Sequence, residues 1–111
     1  MVQDHFFEDM ANIYYGTELK LSISIDPIQG LKMADYDFVV DLFTTTAKVV
    51  SQPKAQLIKI DDNTFVARVD TKLLGKGRVT CKITAFIPDG DFKDGKRNEV
   101  CIVDTGINII G

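Results

Sequence analysis

The sequence has no tryptophan, one histidine and two cysteines in 111 residues. It also lacks a basic excess and any long apolar run. Each scarcity removes a class of function. Acid–base and nucleophilic catalysis usually recruit an imidazole or a perturbed carboxylate pair. The only histidine is His5, and no nucleophile elbow, phosphate loop or metal-ligand spacing accompanies it. The carboxylates mostly stand singly in turns or on strand faces, as at Asp61, Asp62, Asp70 and Asp104. The expectation is therefore a protein that is not an enzyme, with no catalytic, cofactor-binding or metal-ligating residues and no cofactor. Sugar sites favour exposed aromatic platforms; without tryptophan, only Tyr14, Tyr15 and Tyr36 join the phenylalanines. The net charge of −3 opposes phosphate binding. The best basic candidate, Lys72, Lys76, Arg78 and Lys82, is diluted by Asp70, so no nucleic-acid partner is expected. Nothing approaches the roughly 20 apolar residues of a spanning helix, so no membrane partner is expected either. Acidic residues stand where a secretory leader needs a basic start, which predicts a chain that stays in the cytoplasm where it is made.

What is present reads as strands. Thr17 to Asp26 alternates cleanly, with Leu19, Leu21, Ile23 and Ile25 on one face. Tyr36 to Thr45 is a second strand, with Phe38, Val40 and Leu42 in phase. Gln56 to Ile60 and Thr64 to Val69 flank an Asp-Asp-Asn turn. Gly77 to Ile87, Asn98 to Val103 and Ile107 to Ile110 complete the set. Short strands, close turns and no long helical pattern predict one all-β domain over residues 17–111. Its expected form is an immunoglobulin-like antiparallel β-sandwich of seven or eight strands. The expected core is Leu19, Leu21, Ile23, Ile25, Phe38, Val40, Leu42, Val79, Cys81, Ile83, Ala85 and Ile87. Residues 1–16 fit a short amphipathic helix or an arm that pairs as an edge strand.

Cys81 and Cys101 invite a disulfide, but a hairpin turning at about Pro88 to Arg97 argues against it. That register sets Cys81 opposite Asp104 and Cys101 opposite Thr84, with the thiols on opposite faces. A one-residue slip puts them on one face, yet two rungs apart and beyond the ~7 Å reach of a bridge. The expectation is two free thiols.

The turn Asp89-Gly90-Asp91-Phe92-Lys93-Asp94-Gly95 starts like a calcium loop, with carboxylates at alternate positions. Lys93 then stands where a third ligand belongs, and Asp94 is out of phase. Turn chemistry explains the two Asp-Gly pairs more simply. A glycan- or calcium-binding module using residues 89–95 is the alternative function.

Several strands carry apolar residues on their nominally polar face: Val39, Phe43, Phe86, and Cys101 with Val103. A solvated sheet face should not. Either the N-terminal Phe6, Phe7 and Ile13 cover this patch or another chain does. Phe6, Phe7, Val39, Phe43 and Phe86 form the candidate interaction surface.

The run Thr64 to Asp70, then Lys72-Leu-Leu-Gly-Lys-Gly-Arg-Val-Thr-Cys-Lys-Ile-Thr-Ala-Phe-Ile-Pro-Asp-Gly, then Val100 to Ile109, resembles small immunoglobulin-like proteins of phages and prophages. It is similar in layout to the N-terminal domain of phage baseplate upper proteins, with Leu74-Gly75-Lys76-Gly77 as the family-like element. The resemblance implies a structural or docking module of a phage- or prophage-derived particle, acting by protein–protein contact. It implies either a homo-oligomer or contacts with other particle subunits, and a virion-associated location.

Overall fold

A computed structural model describes residues 11–46 and 48–111. Eight strands run in chain order: β1 Ala11–Tyr14, β2 Glu18–Ser24, β3 Asp37–Phe43, β4 Val49–Pro53, β5 Ile58–Asp61, β6 Thr64–Asp70, β7 Gly77–Pro88 and β8 Lys96–Ile110. They form a five-stranded sheet, β1-β8-β7-β3-β4, and a three-stranded sheet, β2-β6-β5. The short helical turns between them are three residues each. This is the immunoglobulin-like sandwich. β2-β6-β5 take the places of strands B-E-D, and β8-β7-β3-β4 those of G-F-C-C′. All pairings are antiparallel except β1 with β8, which is parallel.

Alternation sorts the side chains. On β3, Phe38, Val40 and Leu42 point inward; on β7, Val79, Cys81, Ile83, Ala85 and Ile87 do. Leu19, Ile23, Phe65, Ala67 and Val69 meet them from the smaller sheet. Leu21 and Ile25 share that face but are only half-buried. The reason is geometric: β2 is the margin of a three-stranded sheet facing a five-stranded one, so its flank looks into a gap.

The aromatic centre is Phe38, edge-on to Tyr36 at 6.1 Å and to Phe65 at 5.3 Å between ring centroids. The Lys54 ammonium lies 5.8 Å from the Phe38 and Phe65 ring centroids and donates to the Tyr36 and Ala34 carbonyls. Thr71, fully buried, ties the β1–β2 corner down: its hydroxyl accepts from the Gly16 amide and donates to the Thr17 carbonyl.

Two sequence expectations need correction. The pieces 98–103 and 107–110 are one strand, β8, continuous through a bulge. There Gly106 takes φ +76°, the Asp104 carboxylate accepts from its amide, and the Thr105 hydroxyl donates to the Val79 carbonyl. The β7–β8 register is also one residue away from the expected one. Cys81 faces Val103 and Ile83 faces Cys101, so both thiols lie on the inward face, one diagonal step apart. They remain unbonded, in keeping with the expected free thiols.

Candidate interaction surface

The sheet places Val39, Phe43 and Phe86 together on the outer face of the larger sheet. The rungs are explicit: Asp37–Phe86–Asn98, Val39–Thr84–Val100, Asp41–Lys82–Ile102 and Phe43–Thr80–Asp104. Val39, Phe43 and Phe86 are half-buried among these neighbours. Phe6 and Phe7 lie outside the described residues. The register correction changes the other members of the patch. Val100 and Ile102 stand on this outer face, exposed by 55% and 65%. Cys101 and Val103 turn inward instead, yet are also exposed, because the smaller sheet does not reach beneath them.

Every residue from Val100 to Val103 is therefore apolar and exposed, on both faces of one strand. The strand is also a margin. One edge pairs with β7 from Lys96 onward; the other meets β1 only at Ile107–Ile110. Among the described residues nothing pairs with the second edge of residues 96–104. A strand margin with unpaired amides and carbonyls is a template for another strand. Beneath it, a cleft of about 260 Å³ opens between β2 and β8, lined by Leu21, Ile25, Cys81, Cys101 and Val103 among others.

Charges frame this margin. Lys96 and Arg97 begin it and Asp104 ends it. Arg97 holds Asp89 at 2.9 Å, and Arg78 holds Asp104 at 2.8 Å. The Gly106 amide and then Arg78 lower the Asp104 pKa.

The 89–95 turn is occupied with its own shape. Asp89 and Gly95 close it backbone to backbone at 2.8 Å. One Asp89 oxygen accepts from the Asp91 amide and the other from Arg97. The amide and then Arg97 lower its pKa. Both carboxylate oxygens thus serve the hairpin. Among the described residues no three His, Cys, Asp or Glu side chains are grouped to hold a metal ion.

The thiols differ in chemistry. Burial first, then the neighbouring Cys101 and Asp41, push the Cys81 thiol up to about 11. Cys81 should stay unreactive towards a thiol–disulfide reagent in the native chain at neutral pH and react after unfolding in urea, while Cys101 reacts in dilute native protein. Rapid uptake of reagent at Cys81 in the native state would show that the cleft admits solvent to its floor.

No family model, curated protein or solved structure matches the chain. No helix among the described residues is long and apolar enough to cross a membrane.

Proposed function

We propose that this protein is a non-enzymatic docking module that binds protein partners by strand addition at the free edge of β8. The contact extends over the outer face that carries Val39, Phe43 and Phe86. The observation that carries this reading is the edge itself: a run without proline, apolar on both faces from Val100 to Val103, with backbone groups left unpaired among the described residues. Three other margins are poorer templates, the first of them β2, whose exposed residues Glu18, Lys20, Ser22 and Ser24 are all polar. β4 ends in Pro53, and β5 has four residues and an irregular register. Main-chain bonds to the edge would give affinity, and the flanking side chains selectivity. The sequence resemblance supports a phage- or prophage-derived particle as the setting, with this chain as one of its structural subunits. The 89–95 turn has no feature that favours a calcium or glycan site over a hairpin.

Amide hydrogen exchange on the dilute full chain tests the edge. An open edge shows alternation along residues 97–104: amides bonded to β7 are protected, and those pointing away exchange fast. Slow exchange at every one of these amides, however dilute the protein, would mean the edge is already filled and would refute the reading.

A further inference from the structure

We infer that the partner at the β8 edge is a second copy of this chain, paired antiparallel about a two-fold axis at Cys101. The inference rests on the docking reading above and supplies its partner. A two-fold interface must be complementary to itself, and this strand is. With the axis at Cys101, Val100 faces the partner's Ile102, and Ile102 faces the partner's Val100. The most exposed apolar side chains of the strand then meet in two rungs on the outer face, the cross-strand contacts that stabilise sheets. On the inward face Cys101 meets the partner's Cys101, and Glu99 lies beside the partner's Val103.

Charge selects the same orientation. The strand is basic at Lys96 and Arg97 and acidic at Asp104. Antiparallel pairing sets the basic end of each copy beside the acidic end of the other. Parallel pairing along this same edge would turn one copy over and put the exposed Val100 and Ile102 of the two copies on opposite faces of the joined sheet. Register is restricted too. A two-fold axis normal to the sheet keeps outward residues opposite outward residues, so the axis must pass through a residue pair of one kind. Moving it to Val100 sets Ile102 against the partner's Asn98; moving it to Ile102 sets Val100 against the partner's Asp104. Only the Cys101 axis matches both exposed apolar residues of the outer face, Val100 and Ile102, with apolar residues. The larger sheets of the two copies then join into one continuous sheet.

Light scattering on the full chain over a concentration series tests this with two double variants. Val100 and Ile102 are both more than half exposed, so the substitutions leave the core alone; circular dichroism confirms the fold. Wild type should show twice the monomer mass and fall to the monomer on dilution. The Val100→Lys/Ile102→Lys variant sets like charges opposite each other in both rungs. Its dissociation should shift by about tenfold or more towards the monomer. The Val100→Glu/Ile102→Lys variant faces each Glu with the partner's Lys and should recover the dimer. A dimer indifferent to all three sequences overturns the proposed axis. A wild-type monomer with fast-exchanging edge amides overturns self-pairing and leaves the edge to a different protein. A wild-type monomer with protected edge amides overturns both this inference and the docking reading, and assigns the edge to a segment of the same chain.

Discussion

Phe38→Ala should destabilise the domain by about 3–5 kcal/mol. Phe38 is 1% exposed and is the second residue of β3, paired with Ala85 of β7. Its ring fills the space between the sheets and meets Tyr36 and Phe65 edge-on. Truncation removes a large apolar burial, leaves a cavity and strips the Lys54 ammonium of one of its two rings. Opposite Phe38 on β7 stands Ala85, too small to collapse into the gap. Domains of this size are stable by about 5–15 kcal/mol in total, so the variant should lose a large share of its folded population margin. Urea unfolding checks it: the midpoint should fall with the slope unchanged. A loss below about 1 kcal/mol, small against the usual range for a buried aromatic, would mean that the two sheets close over the gap.

The second large effect belongs to the Leu74-Gly75-Lys76-Gly77 turn. Gly75 has φ +85°, and a Cβ placed there would lie 2.6 Å from the Thr46 hydroxyl oxygen. That hydroxyl cannot simply swing aside. It lies 2.8 Å from the Leu74 carbonyl, which also accepts from the buried Thr44 hydroxyl at 2.8 Å. Gly75→Ala therefore meets backbone strain and a collision together, and should cost about 2–3 kcal/mol. Gly30→Ala is the internal comparison. Its φ is +81°, but nothing lies within 4 Å of the added carbon, so only the strain of about 1 kcal/mol applies. Thermal unfolding of the pair separates the terms. Equal losses would show that the Thr46 side chain yields without cost.

The strands were legible because alternation is local. Leu19 to Ile25, Phe38 to Leu42 and Val79 to Ile87 declare their inward faces by period two, and β2, β3 and β7 follow them. Register was not legible in the same way. It depends on where the hairpin closes, and the connection from Asp89 to Gly95 contains two Asp-Gly pairs, each a plausible corner. A slip of one residue exchanges the two faces, so the sequence pattern points to Cys101 and Val103 for the patch where the register places Val100 and Ile102. The run Val100 to Val103 did hold a signal, since four consecutive apolar residues on one strand cannot all be inward. The β8 bulge reads as a break because Asp104-Thr105-Gly106 has turn composition; only the Thr105 bond to Val79 reveals that the strand continues. The partnering of Ala11–Tyr14 with Ile107–Ile110 joins residues 96 apart in sequence, as between Asn12 and Asn108. No local pattern encodes such a contact.

That parallel pairing also gives the domain a mechanical character. Tension applied at residue 11 and at residue 110 would pull β1 and β8 along their own length in opposite directions. Their cross-strand bonds would then bear load together, in shear, rather than open one after another like a zip. The pair joins the first and the last described strands and the other six lie between them in sequence, so the fold should be stiffest along the line from Ala11 to Ile110. A subunit held in a larger assembly through residues 11 and 110 would carry force first through that four-rung clasp.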